Sequence, residues 1–574
     1  MTTIHPLCLW LQSAPSRLLS LSPIDLIIIV AYFALVLGIG FYLKRYARTG
    51  EEFFMAGHQM TAWIAGLSFI SANLGSLETM GYAAATYQYG ILVGHAYLIA
   101  AIPAILFLAL VMMPFYYICR THSVPGYLRL RFGEPTRALA GISFAVMTVL
   151  MSGINMYAMA VIMKVILGWN INFSIWVSSL TVALYVMMGG LLSAIFNEVL
   201  QFFLIWLGSL VIPIVGLIEA GGWDGLVARI ARNFPGQDYT HMWSTVGAFS
   251  DNPMGIHWTG IVFGWGLAIS FGYWTTDFLV IQRVMAAKNL RSAQLGTIIG
   301  CVFKMLVPLI VILPGLLGLG LLPMKLVAEN DPAVAQGAHT YNEVLPLMLA
   351  RYAGPGLLGL GVTALIAGFM SGMAGNVSAF ATVWTYDIYK PFLRKEASDA
   401  HYVAMGRWCS LLGVFISIGT AYLVMQFSSI IVYAQVVFVI FIVPLFGTVI
   451  FGMLWKRTTP AGAFWGLLAG ILVAFGLFLW VKFDPSALVY VAFSPDAKDM
   501  SENIYRAMWS LIACVLVTVV VTLVTKPKPA HELEGLVYGL TKIPSQRHLP
   551  FYQRPVFWGA VVGIAFVALN IIFW

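Results

Sequence analysis

The sequence predicts an all-α integral membrane protein of about fourteen crossings, with two five-helix repeats, inverted relative to each other, at its centre. Three observations lead there. Of 574 residues, 60% are hydrophobic and only 9% are charged, where soluble domains carry about 25% charge. Apolar runs of about 20 residues recur along the whole chain, each long enough to cross a bilayer as a helix. Two of these runs, five crossings apart, are broken by polar residues in their middles, as in paired discontinuous helices around a midplane site.

The crossings are expected near 25–43, 62–86, 92–117, 136–166, 172–189, 194–218, 257–281, 294–321, 357–384, 405–424, 428–453, 459–481, 504–525 and 555–574. Residues 1–24 form an extracytoplasmic segment without an A-x-A cleavage site, so 25–43 reads as a retained extra leading helix. The first repeat is expected over 62–218 and the second over 257–453. Three further helices follow over 459–574, with a basic cytoplasmic linker near 526–554. No polar stretch is long enough for a separate soluble core. The five cysteines (Cys8, Cys119, Cys301, Cys409, Cys514) are far apart and lack metal spacing, which predicts buried free thiols.

Charge orients the crossings. Odd-numbered connections hold Lys44, Arg45 and Arg48; Arg120, Arg129, Arg131 and Arg137; Arg283, Lys288 and Arg291; Lys390, Arg394 and Lys395; Lys456 and Arg457; and the linker from Lys526 to Arg554. Even-numbered connections are very short (GWNIN, QFSS) or mixed and acidic (EAGGWDGL, MKLVAENDP, KFDPSALVY). The positive-inside rule makes the first set cytoplasmic and puts both termini outside. The net charge of +8 therefore belongs to a membrane surface and not to a nucleic-acid partner. The expected location is a cell membrane, a bacterial inner membrane in particular.

The first broken run, SFISANLGSLETMGYAAATYQYG over 68–90, carries Ser71, Asn73, Gly75, Ser76, Glu78 and Thr79. A carboxylate at the bilayer centre costs about 2.5–3.5 kcal/mol on insertion scales, so Glu78 must face protein or water. The second, WGLAISFGYWTTDFLVIQR, is broken by Gly272, Thr275, Thr276 and Asp277. Polar residues at matched places in two halves predict a small hydrated chamber between them and, with it, a carrier of small solutes.

At these residues the sequence resembles the sodium/solute symporter family, which includes the sodium–glucose and sodium–galactose cotransporters. One family pattern fits Gly168 through Ser193, ending in LYVMMGGLLS; a second fits Gly452 through Leu472, GMLWKRTTPAGAFWGLLAGIL. Between them YWTTDFLVIQRVMAAKN (273–289) is similar to the sugar-cotransporter version of that loop. The resemblance covers about 25–525. It implies a LeuT-type fold with fourteen helices, symport of a small polar solute by alternating access, a sugar as the first expectation, and Na+ as coupling ion with no other cofactor.

The resemblance also implies site residues. Asn73, Lys304 and Gln435 fall on sugar-contacting positions, and Ser270 where the galactose carrier has Asn. Tyr273 matches the aromatic inner gate, and Trp274 follows it. Where sugar carriers have a carboxylate on the third span this chain has Tyr97, with His95 nearby, and after the first break it has Glu78. Moving the acid between helices preserves a carboxylate for gripping hydroxyls, or marks a different solute. The fourth span has no central Arg for an anionic substrate, although Lys304 remains available. Ordinary alternatives stay open: snorkelling for Lys304, interhelical hydrogen bonds for Asn73 and Gln435, packing for Tyr273.

Sodium takes about five or six oxygens, from carbonyls freed by a broken helix and from hydroxyls. The carbonyls of Ser71 and Leu74 are expected to supply some. The matching stretch of the ninth span has two adjacent hydroxyls in the family and reads Ser371 and Gly372 here, with Gly368 able to offer only its carbonyl. One ligand is thus missing, which weakens sodium without abolishing it if water fills the gap. Glu198 stands where the family has an Asp serving as a second ion or proton site; its alternative is a cap or an ion pair. A proton-coupled or uncoupled carrier would titrate Glu78 or Glu198. A sensor would need a signalling domain, and an intramembrane hydrolase is disfavoured because Ser371 sits in GFMSG, not G-x-S-x-G.

Overall fold

The computed structural model describes residues 21–43, 56–119, 121, 123–546 and 548–574; the side chains of 43, 57 and 181–193 are outside the description. The described residues are helical with connecting loops and only two isolated bridges, Met60 to Ala287 and Val327 to Thr340. Among them, eleven helices are long and apolar enough to cross a membrane. Most begin or end within a few residues of the expected limits, as at Pro23–Tyr42, Glu134–Leu167, Ile430–Leu454 and Pro460–Phe483. One stretch differs. Where two crossings are expected (172–189 and 194–218), helical residues run on through Ile171–Ser209 and then Val211–Ala220. Lys44, Arg45, Arg48, Arg120 and Cys8 lie outside the described residues. Cys119, Cys301, Cys409 and Cys514 are free thiols.

The two polar-interrupted runs are broken where expected. Thr61 caps the first, its hydroxyl accepting from the Ile64 amide at 3.4 Å, and the helix Ala62–Asn73 ends as Leu74 leaves helical geometry with ψ 38°. The chain resumes as a π-type turn, Leu77–Gly81, and the helix Tyr82–Tyr89. Gly75 permits a close approach, since a Cβ there would lie 3.1 Å from the Gly372 Cα. The second run is π-helical over Gly260–Ser270, helical over Phe271–Thr276, and extended at Asp277 with ψ 109°. Backbone groups at such a break need new partners. The Leu279 amide, which an unbroken helix would give to Thr275, donates to the Asp277 carboxylate at 2.9 Å. The Thr275 carbonyl accepts the Tyr116 hydroxyl at 2.8 Å instead.

Small residues bring the helices around the first break together, as expected where lipid supplies no hydrophobic drive between helices. Ala62–Asn73 lies against Leu290–Leu306 with Gly66 facing Gly296; a Cβ on Gly66 would sit 2.6 Å from the Gly296 carbonyl. The leading helix Pro23–Leu43 braces Leu357–Val383, because the buried Asp25 carboxylate accepts from the amides of Gly356 (2.8 Å) and Gly359 (2.7 Å). That is an N-cap supplied from another helix. The linker after Lys526 packs onto the bundle: the Tyr127 hydroxyl donates to Leu536 O at 2.9 Å and the Tyr538 amide to Met453 O at 2.7 Å.

Candidate solute and ion site

Between the two interrupted runs lies a narrow cavity of about 40 Å³. It is lined by Asn73, Leu77, Glu78, Tyr82, Ala96, Tyr97, Ala101, Trp265, Ile269, Ser270, Tyr273, Trp274, Lys304, Gln435 and Phe438. All seven residues expected at the solute site (Asn73, Glu78, Tyr97, Ser270, Tyr273, Lys304, Gln435) line this one space. They come from five separate parts of the chain, so folding alone brings them together.

Most of their polar atoms already pair with one another. The Lys304 ammonium donates to Asn73 Oδ1 and to Glu78 Oε1, each at 2.5 Å. The Tyr97 hydroxyl donates to the same Glu78 oxygen at 2.5 Å, and Asn73 Nδ2 donates to the Tyr273 hydroxyl at 2.9 Å. Lys304 also lies over two ring faces, Tyr97 at 4.8 Å and Trp274 at 5.0 Å. Glu78 and Lys304 are only 3% and 2% exposed, so Lys304 is an internal cation and does not snorkel. Its charge is cancelled inside the site. Gln435 Oε1 is the exception: it is buried and has no hydrogen-bond partner among the described residues.

Sequence reasoning did not single out Tyr82, Trp265 or Phe438 in the lining. Trp265, Ile269 and Tyr273 recur at four-residue spacing, which puts them on one helix face and was a usable signal. The Tyr273 ring lies 5.0 Å from Phe438 and 5.2 Å from Trp274, and these rings wall one side. His95 turns away, bonding Met242 O at 3.0 Å and packing on Trp243.

The expected ion residues also converge. The Ser371 hydroxyl donates to the Ser71 carbonyl at 2.9 Å. Leu74 O faces Gly368, 3.2 Å from where a Cβ would stand. Gly372 faces Gly75 across the break. Glu198, on Ile171–Ser209, sits elsewhere, beside Arg283. It accepts from Arg283 Nη2 at 2.6 Å and Nε at 3.2 Å, and from the Ser68 hydroxyl. Arg283 also reaches Ser378 at 3.5 Å. Both partners of that ion pair are fully buried.

The Sodium:solute symporter family model matches residues 53–470. The chain belongs to that family. It is 29% identical over 563 residues to the sodium/myo-inositol cotransporter 2 of Oryctolagus cuniculus, covering 93% of this chain and 81% of the relative. It is 26% identical to the sodium/glucose cotransporter 1 of the same organism, covering 91% and 82%. Among solved structures, a substrate-bound, outward-open Na+-coupled sialic acid symporter superposes with a TM-score of 0.68 at 19% identity, covering 88% of this chain and 99% of that one. That likeness places the symporter in the same all-helical fold.

Proposed function

We propose that this symporter family member moves a small neutral polyhydroxy solute, a sugar or cyclic polyol, together with Na+ by alternating access. The observation that carries the reading is the meeting of Asn73, Glu78, Tyr97, Ser270, Tyr273, Lys304 and Gln435 at one cavity between the two breaks. Donors, acceptors and aromatic faces in one place suit hydroxyl-bearing rings. A Glu78–Lys304 pair that cancels its own charge favours a neutral solute over an anion. The named relatives are cotransporters of sodium with myo-inositol or glucose, which supports the same solute class and coupling ion.

In this reading the eleven long apolar helices and the two interrupted runs make thirteen crossings, and the expected crossing over 172–189 is the fourteenth. Both termini lie outside, and the repeats run over 62–218 and 257–453. Na+ binds to the carbonyls of Ser71, Leu74 and Gly368 and to the Ser371 hydroxyl. Solute hydroxyls take over the internal bonds of Asn73, Glu78 and Lys304 and supply the missing partner of Gln435. The halves then rock, and the solute leaves inward when Tyr273 yields. Each translocated charge gains about 2.3 kcal/mol per 100 mV of membrane potential, enough to concentrate the solute. Glu198, paired with Arg283, serves as a proton or second ion relay only if that pair opens.

Uptake of labelled glucose and myo-inositol into proteoliposomes, with Na+ outside and again with choline in its place across several pH values, tests this reading. Sodium-dependent accumulation is expected. Uptake driven equally well by choline, or by a proton gradient alone, would assign the chain to a proton-coupled or uncoupled carrier.

A further inference from the structure

The family resemblance of the ninth span implies two adjacent hydroxyls where this chain has Ser371 and Gly372, so the ion site proposed above is one side-chain oxygen short. Asn155 stands in that place. It comes from a different helix, Glu134–Leu167, and is 4% exposed. A Cβ built on Gly372 would lie 2.7 Å from Asn155 Oδ1 and 3.2 Å from its Cγ, and a Cβ on Gly75 would lie 3.4 Å from Oδ1. The carboxamide therefore occupies the room that a side chain at 372 would need. A serine there and Asn155 in its present position exclude each other.

Asn155 Oδ1 has no hydrogen-bond partner among the described residues. Buried carbonyl oxygens are nearly always paired, and leaving one unpaired is costly. This one points at the helix break, beside the glycine that replaces a ligand. An amide oxygen is a hard, neutral donor of the kind that alkali and alkaline-earth cations take. Resting on the sodium site proposed above, we propose that Asn155 Oδ1 supplies the ligand that Gly372 lacks. The coupling ion is then held by a side chain from a third helix, and its binding ties Glu134–Leu167 to both the first break and Leu357–Val383.

Sodium affinity of the purified protein tests this without transport. The midpoint of thermal unfolding is titrated with NaCl against choline chloride at constant ionic strength. Asn155→Ala is expected to weaken apparent sodium affinity about tenfold. Gly372→Ser alone is expected to weaken it as well, because the new side chain displaces the carboxamide. The double variant N155A/G372S is expected to return to within about threefold of wild type, since the hydroxyl now fills the vacated room. A rescue of this kind distinguishes a ligand from a packing residue. If N155A melts before it can be titrated, Asn155→Ser and the double variant answer the same question. Unchanged affinity in N155A or N155S, or failure of G372S to rescue, overturns the assignment. Ser371→Ala separates the two layers. Loss of the sodium shift in S371A with none in N155A sinks only the role of Asn155, whereas no sodium shift in wild type sinks the ion site itself.

Discussion

Lys304 and Glu78, 226 positions apart in the chain, meet at 2.5 Å in the cavity wall. Their pairing welds the first interrupted run to Leu290–Leu306. Taking two charges out of water costs several kcal/mol each, and attraction repays that only with good geometry and further hydrogen bonds. Both conditions hold: Tyr97 and Asn73 complete the set. Tyr97, on the third crossing, donates its hydroxyl to the same carboxylate from a neighbouring helix.

Breaking this pair from one side should be costly. Glu78→Gln leaves Lys304 buried and uncompensated, which is expected to destabilise by about 3–5 kcal/mol. Lys304→Met should behave alike. The double variant E78Q/K304M should regain most of that stability while losing solute binding. Thermal unfolding and equilibrium binding, measured on the same samples, check both halves.

Tyr273 is expected to separate gating from affinity. Tyr273→Phe loses only the bond from Asn73 (2.9 Å), a change of about 0.5–1.5 kcal/mol, and should weaken solute binding modestly. Tyr273→Ala removes the ring that packs on Phe438 and Trp274. It should raise solute efflux without sodium, read by counterflow from loaded vesicles.

Glycine substitutions should follow the local packing. Gly66→Ala is expected to destabilise by about 1–3 kcal/mol, because its Cβ would press on the Gly296 carbonyl at 2.6 Å. Gly476→Ala, within Pro460–Phe483 and with nothing near its new Cβ, should be neutral or stabilising by up to about 1 kcal/mol. Unfolding midpoints of the two variants should therefore move apart.

Outside the membrane-spanning segments, Glu343 gives a pH dependence with a definite sign. Burial pushes its carboxyl pKa up, but the hydrogen bond from His339 and the Lys164 ammonium outweigh this and hold it below the ordinary value. Those partners lie at 2.5 and 2.8 Å. A lowered carboxyl pKa contributes stability above the unfolded value of about 4.3. That contribution is lost as pH falls through the lower folded value. Between pH 7 and pH 3, melting of wild type should fall more steeply than that of Glu343→Gln.

Much of the architecture was legible because a bilayer restricts what a sequence can do. Long apolar runs had to be helices, and polar residues within two of them had to mark breaks. Asn73, Lys304 and Gln435 were legible as polar residues in apolar runs, and Tyr273 through the family resemblance alone. Other features were hidden for physical reasons. The Lys304–Glu78 contact depends on packing between distant segments. Tyr82, Trp265 and Phe438 resemble any aromatic in an apolar run until a cavity gives them a face. Local π-type turns carry no side-chain signature, and nothing in Ile171–Ser209 announces a helix that runs on through GGLLS. The space that Asn155 fills exists only because residue 372, on another helix, is glycine.

Gln435 offers the most direct test of the central claim, that the residues meeting between the breaks form the solute site. Its Oε1 has no hydrogen-bond partner among the described residues, so Gln435→Leu should leave the fold and the Lys304 network intact. Equilibrium binding of the sugar or polyol giving the largest sodium-dependent thermal shift should weaken about tenfold in Q435L, with an unfolding midpoint close to wild type. Wild-type solute affinity in a normally folded Q435L would contradict the account.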